Sequence, residues 1–237
     1  MDRINLISGP RNISTALMYS FAQRPDTIVL DEPFYAFYLA KTHVDHPGKE
    51  AVLNSQPQHE KEVLHEIFKP WSKPVLFIKN MSHHIELLQE KLLADVTNVF
   101  LIRNPAQIIA SYARVIANPV MRDIGIEYQY HLFEQLRRLG QSPVVVDSGR
   151  LLENPASVLE QLCNALRIPY TPEMLSWEAG PKPYDGVWAP YWYENVHRST
   201  GFEKQPAHAS QPPRHLTELH EKADYYYQKL LPFSFTP

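Results

Sequence analysis

Five short apolar runs recur along the chain, at residues 4–7, 27–30, 75–78, 99–102 and 144–146, and each has the length and β-rich composition of a strand buried on both faces. The segments between them switch to the helical period. Ile13, Leu17 and Phe21 repeat every four residues, Val63, Leu64, Ile67 and Phe68 mark a helix over about 59–68 that Pro70 stops, and Ile85, Leu87, Leu88 and Leu92 mark another. Ile108, Ile109, Tyr112, Val115 and Ile116 form an apolar face after Asn104-Pro105, an N-cap followed by proline at the first helical position. Asn154-Pro155 repeats that device ahead of Val158, Leu159, Leu162, Cys163 and Leu166. A longer helical region covers about 124–139, with Ile124, Tyr128, His131, Leu132, Leu136 and Leu139. Pro212-Pro213 opens a last helix whose core stripe is Leu216, Leu219, Ala223, Tyr226 or Tyr227, and Leu230. Strands alternating with helices predict an α/β three-layer sandwich, with a central five-stranded parallel sheet covered on both faces and joined by right-handed crossovers.

Three stretches fall outside that alternation. Residues 34–40 read as a short aromatic helix, with Phe34, Tyr35, Phe37 and Tyr38, and residues 41–58 as a polar surface excursion. The segment at about 169–213 is rich in proline and aromatics, including Tyr170, Trp177, Tyr184, Trp188, Tyr191, Trp192 and Tyr193. Aromatics at that density want burial or a ligand, so the segment is expected to act as a lid on a single domain spanning 1–237.

Composition narrows the function. The 237 residues carry a net charge of −3, which gives neither a nucleic-acid footprint nor a basic membrane-binding face, so any anion site must be local. With no charged leader, signal core or bilayer-length apolar stretch, a cytoplasmic location without a membrane partner is expected. Cys163 lies on a helical apolar face and is expected in the core, and one cysteine permits no disulfide framework. The eleven histidines show no H-E-x-x-H or comparable spacing, so no metal is expected. Oligomeric state is not legible.

The candidate chemistry begins where the first strand meets the first helix, at Ser8-Gly9-Pro10-Arg11-Asn12. A helix starting in such a turn exposes its first N–H groups and its positive dipole end, and Arg11, Ser14 and Thr15 add a cation and two hydroxyls suited to phosphate or sulfate. The turn fails the Walker A pattern, lacking the second glycine and the lysine, and an ordinary strand-to-helix turn is the alternative. Asp31 and Glu32 follow the second apolar run, where ligands gather in open α/β sheets, and serve either as acid–base groups or as caps of the next helix. The third run leads into Lys79-Asn80-Met81-Ser82-His83-His84, and the fourth ends at Arg103, eight residues before Ser111, a pair able to hold one phosphate. Arg198-Ser199-Thr200-Gly201 is a further cation and hydroxyl cluster within the lid.

Together these motifs resemble those of the sulfotransferases that use 3′-phosphoadenosine 5′-phosphosulfate (PAPS). Pro10-Arg11-Asn12-Ile13-Ser14-Thr15 resembles the family's 5′-phosphosulfate loop, and Arg103-Asn104-Pro105 through Ser111 its 3′-phosphate motif. Arg198 to Gly201 is similar, more loosely, to the segment that returns to the 3′-phosphate. The wording around residues 8–16, with Asp31-Glu32-Pro33 and Lys79-Asn80-Met81, also resembles bacterial proteins labelled sulfotransferase-like or aminotransferase-like. The resemblance implies a P-loop-containing nucleoside triphosphate hydrolase-like fold and sulfuryl transfer from PAPS to a hydroxyl or amine of a small-molecule acceptor, without a metal.

Two positions depart from the family. Ile13 stands where the usual loop has glycine, and a β-branched residue resists positive φ, which Asn12 tolerates better. The histidine that cytosolic members carry after the third strand falls on Met81, with His83 and His84 displaced, whereas Glu32 matches the glutamate other members place after the second strand. The resemblance thus implies that Arg11, Asn12, Ile13, Ser14 and Thr15 hold the 5′ end, that Arg103, Ser111, Arg198 and Gly201 hold the 3′ end, and that Glu32 is the base. Asp31, His83 and His84 stand behind Glu32 as alternative bases. Two rivals remain open at this point: a kinase or phosphotransferase, with Asp31 or Asp147 as the Mg²⁺ carboxylate, and a nucleotide-binding module without catalysis.

Overall fold

A computed structural model describes residues 1–88, 93–114, 116, 118–203 and 211–237. Strands β1 (Asp2–Ser8), β2 (Thr27–Asp31), β3 (Val75–Met81), β4 (Thr97–Ile102) and β5 (Val144–Asp147) form one sheet in the order β2-β3-β1-β4-β5. Every pairing is parallel. Because the chain passes from β1 to the edge strand β2, returns to β3 beside β1 and then crosses to β4 and β5, the carboxyl ends of β3, β1 and β4 lie side by side where the winding reverses, the place such sheets bind ligands.

Alternating side chains of the strands feed two separate cores. Leu6, Phe77, Val99 and Leu101 pack with Leu17 and Phe21 of helix α1 (Ser14–Ala22) and with Leu159 and Leu162 of the helix Pro155–Leu166. Ile7, Leu76, Ile78 and Phe100 pack on the opposite face with Ile108, Phe133, Leu136, Ala223 and Tyr227. Two buried faces explain why the strands read as continuous apolar runs. One polar line crosses them: Asn80 Nδ2 donates to Asn5 Oδ1 at 2.9 Å and Asn5 Nδ2 to Asn98 Oδ1 at 3.0 Å, linking buried amides across β3, β1 and β4, with Asn80 Oδ1 left without a partner among the described residues.

The helical caps are as expected, with Asn104 accepting from Ala106 N and Asn154 from Ser157 N. Cys163 is buried among the apolar residues of its face. Several boundaries differ. The third strand runs on through Lys79 and Asn80 to Met81, so these residues belong to the sheet. The stretch expected as a surface excursion contains the helix Lys49–Ser55, anchored by the buried Val52. The helix expected over about 124–139 is present as Ile126–Arg138, and it starts after Gly125, whose φ of 77° separates it from a short preceding helix, Met121–Ile124. The helix after Asn104 stops at Tyr112, leaving Ile116 exposed instead of buried; Val115, like Leu92, lies outside the described residues. In the last helix, Thr217–Leu230, Tyr227 faces the core and donates to Asp147 Oδ2 at 2.9 Å.

The aromatic segment after 169 is built into the body of the protein. Trp177 joins the core under α1, while Trp188 and Tyr193 form a third cluster with Tyr35, Tyr38 and Leu39 of helix α2 (Tyr35–Thr42). No helix among the described residues is long and apolar enough to cross a membrane.

Candidate functional site

The loop between β1 and α1 takes its left-handed turn at Arg11, with φ of 54°, and not at Asn12. Asn12 is held instead: its Nδ2 donates to Leu101 O at 2.8 Å, tying the loop to β4, and its Oδ1 accepts from Ile13 N at 3.2 Å. Ile13 has φ of −66°, so no glycine is needed there, and its side chain packs against the core beneath α1. Ile13 supplies no capping hydrogen bond to the helix, whose first turn carries Ser14 and Thr15. The N-terminus of α1 thus keeps the character of an anion site with a cation one turn ahead of it.

Arg103, at the end of β4, reaches this loop. Its Nη1 donates to the Arg11 carbonyl and its Nε to Gln107 Oε1 at 3.1 Å, while Arg11 Nε donates to Ser111 Oγ at 3.0 Å. Three residues expected at opposite ends of a nucleotide, Arg11, Arg103 and Ser111, are therefore in direct contact through Arg11. Burial first, and the Arg11 charge second, hold the Arg103 guanidinium below its ordinary pKa, and an anion bound between the two would relieve that repulsion. Arg198 and Gly201 are not brought to this point. Arg198 is exposed and pairs with Glu194 of its own helix, and Gly201 bridges to Ser176 on the Trp177 side of the molecule.

Asp31 and Glu32 belong to a buried network that sequence reasoning missed. Lys79 Nζ donates to Asp31 Oδ1 at 2.8 Å, Glu32 Oε1 at 2.5 Å and Tyr193 OH at 2.6 Å, and its side chain is 1% exposed. Trp188 Nε1 donates to Tyr193 OH at 3.0 Å, and Gly186 N to Asp31 Oδ2 at 3.1 Å, so the network fastens the aromatic segment to the ends of β2 and β3. The capping alternative fails, since α2 begins after Phe34 with no side-chain cap. Glu32 also holds φ at 42°, a strained value for a non-glycine residue and one that functional sites often store. Burial pushes its carboxyl above the ordinary range, against the opposing pull of Lys79. Lys79 itself, despite the downward pull of burial, is raised by Asp31 and Glu32 and stays an ammonium. The hint in the sequence was the apolar run itself: a lysine continuing a fully buried strand must find carboxylates.

Met81 ends β3 as a buried residue paired with Ser8, and His83 and His84 follow it in the short helix Ser82–Ile85. His84 stacks on Tyr35 with ring centroids 4.3 Å apart and brings Nδ1 to 3.5 Å from Glu32 Oε2. His83 stands edge-on to His84 at 4.5 Å. Burial pushes His83 down to about 3 and His84 lower than its ordinary value as well, so both rings are neutral near pH 7. His83, with Ser82, lines a cavity of about 440 Å³ beneath the segment Met121–Ile124. A cavity of the same volume lies at the opposite, amino ends of the strands, far from these groups.

A family model described as a sulfotransferase domain matches residues 2–230 of the chain. The chain is 41% identical over 204 residues to branched-chain-amino-acid aminotransferase-like protein 2 of Arabidopsis thaliana, which covers 85% of this chain and 36% of the relative. It is 41% identical over 197 residues to protein 1 of the same plant, covering 82% and 35%. The chain thus spans about a third of the length of the curated relatives it matches. Among solved structures it is similar to the sulfotransferase domain from the Synechococcus PCC 7002 olefin synthase, at 16% identity and a TM-score of 0.59 over 95% of each chain. It is also similar to the sulfotransferase domain from the curacin biosynthetic pathway, at 16% identity and a TM-score of 0.53, covering 100% of this chain and 99% of that one. At such identity the likeness is one of fold, a P-loop-like parallel sheet between two helical layers.

Proposed function

The chain belongs to the sulfotransferase family, and on that premise we propose that it moves a sulfuryl group from PAPS to a hydroxyl or amine of a small acceptor. The observation that carries this reading is the convergence of Arg11, Arg103 and Ser111 at the N-terminus of α1, two guanidinium groups and a hydroxyl at the carboxyl ends of β1 and β4. That donor set suits a ligand with more than one phosphate-like group, because two fixed cations and a helix dipole each favour negative charge. Arg11, Ser14, Thr15 and the α1 amides would hold the 5′ end, and Arg103 with Ser111 the 3′-phosphate; when bound, PAPS supplies the activated sulfuryl group.

The chain's own residues account for the rest. Arg11 and the helix N-terminus stabilise charge that develops on the oxygen leaving sulfur. Glu32 accepts the proton of the acceptor hydroxyl or amine, and its raised pKa brings it nearer the operating pH than an ordinary carboxylate. Lys79 keeps Glu32 oriented and neutralises Asp31 beside it.

Calorimetry tests the reading. Adenosine 3′,5′-bisphosphate is expected to bind tightly without magnesium and ATP weakly with it. A preference for ATP with Mg²⁺ would replace sulfuryl transfer by phosphoryl transfer.

A further inference from the structure

Glu32 holds its backbone against two local preferences. Its φ of 42° lies in the left-handed region that residues other than glycine avoid, and Pro33 pushes the residue before it toward negative φ. Such a conformation persists only where the surrounding structure fixes it. Three hydrogen bonds do so here: Glu32 N donates to Lys79 O at 2.8 Å, and Glu32 O accepts from Tyr35 N at 3.0 Å and from Gln56 Nε2 at 3.1 Å. The first two join backbone to backbone. The third comes from a side chain 24 residues further along.

The local sequence explains how Gln56 gets there. Pro57 keeps the residue before it extended, and Gln56 has φ of −136° and ψ of 156°, so the helix Lys49–Ser55 stops at Ser55. Val52 of that helix packs with Tyr35, Ala36 and Leu39 of α2, which sets the half-buried Gln56 against the start of α2. Both ends of its amide are used. Nε2 also approaches Asp31 O at 3.5 Å, and Oε1 accepts from Ala36 N at 3.2 Å, a first-turn amide that the N-cap of α2 leaves unbonded. The reversed amide would set its oxygen against two carbonyls, so only this orientation satisfies the site.

The turn at Glu32 decides where its side chain points. With φ at 42° the carboxylate meets Lys79 Nζ at 2.5 Å and Tyr193 OH at 3.4 Å, beside Asp31 and with His84 Nδ1 at 3.5 Å. A residue relaxed to negative φ aims its Cβ elsewhere and leaves these groups.

We propose that Gln56 is a positioning residue for Glu32: by donating to the Glu32 carbonyl it holds the left-handed turn that points the carboxylate at Lys79. That Glu32 acts as a base rests on the sulfotransferase reading; the hold on its backbone does not.

Amide exchange and carboxyl NMR on the full chain test it. Gln56→Met removes both ends of the amide, while Gln56→Glu keeps the acceptor for Ala36 N and loses the donor. In both, the Glu32 amide is expected to exchange about tenfold faster, the worth of one hydrogen bond, and the ¹³C carboxyl titration of Glu32 to move toward that of an ordinary glutamate. Amides of β1 should stay protected and report that the variants fold. In a Glu32→Gly background, where φ of 42° is unstrained, Gln56→Met should leave exchange at residue 32 unchanged. Unaltered exchange and titration in both Gln56 variants overturns the proposal, as does an equal acceleration in the glycine background. An effect of Gln56→Met without one of Gln56→Glu overturns it too, since Gln56 would then serve only as a cap for α2. A parent that ignores adenosine 3′,5′-bisphosphate while the exchange pattern holds would end the sulfotransferase reading and keep the role of Gln56.

Discussion

Arg11 Nε donates to Ser111 Oγ across 3.0 Å of space and 100 residues of chain, while Arg103 donates to the carbonyl of the same Arg11. One arginine thus joins the loop after β1 to the helix after β4, and the two guanidinium groups form a single cationic patch. On the function proposed above, a ligand would exchange the Arg11–Ser111 bond for its own phosphate oxygens, which would favour ligands with two anionic groups over those with one.

Arg103→Ala is expected to weaken adenosine 3′,5′-bisphosphate binding roughly 10- to 100-fold, the worth of one or two charge-assisted hydrogen bonds. Calorimetry against adenosine 5′-monophosphate checks it, since the monophosphate should lose far less. Equal losses for both would place Arg103 away from the 3′ end.

Glu32→Gln should keep bisphosphate binding and abolish sulfuryl transfer, because the amide cannot take the acceptor's proton. Only the ionised carboxylate works as a base, and burial raises its pKa, so activity rises with pH through a limb displaced above the ordinary glutamate range. Lys79 pulls that pKa down, so a Lys79→Met variant retaining activity should show the limb displaced further upward. A limb that stays put would assign the proton to another group.

Lys79→Met is also expected to cost about 3–5 kcal/mol in urea denaturation, the usual loss when one partner of a buried ion pair is removed and the other charge is stranded. Asp31 and Glu32 would be left side by side with only Tyr193 and Gly186 as donors from the aromatic segment. A loss below about 1 kcal/mol would show that the network is not holding that segment down.

Acidification should destabilise the fold before it reaches carboxylate pKa values. His83 and His84 are held below their ordinary value by burial, His83 to about 3, so the unfolded chain takes up protons below about 6.5 that the native state refuses. Their contribution is complete above that pH and is lost at up to about 1.4 kcal/mol per unit for each ring as pH falls below 6.5, for His83 down to about 3. Denaturation midpoints at pH 7.5 and 5.5 measure the slope, and His83→Phe should flatten it.

The strands were legible because each is buried on two faces and so written in apolar residues without alternation, and the caps at Asn104 and Asn154 because a capping side chain acts on its own helix. The strand-loop-helix turn that carries Arg11, Ser14 and Thr15 was legible for a similar reason, since it is written within a few residues of chain. What the sequence left open were choices settled by distant partners. Nothing near Arg11 says that it, and not Asn12, takes the left-handed turn; the Asn12 bond to Leu101 on β4 fixes that. Gly125 marks the helix start locally, but that its bare Cα is what lets Ser82 and Gly9 come close is decided by packing.

The sequence by itself determined the order of strands and helices, the strand-loop-helix turn after the first strand and the arginines that follow the first and fourth strands, all properties of short windows read by burial period and local hydrogen bonding. Tertiary structure alone decided that Lys79 sits between Asp31, Glu32 and Tyr193, that Arg11 meets Ser111, and that Arg198 stays away from both. The physical reason is that a buried charge takes whatever counter-charge the packing of remote segments brings within hydrogen-bond reach, and that distance is not written in any one stretch of chain.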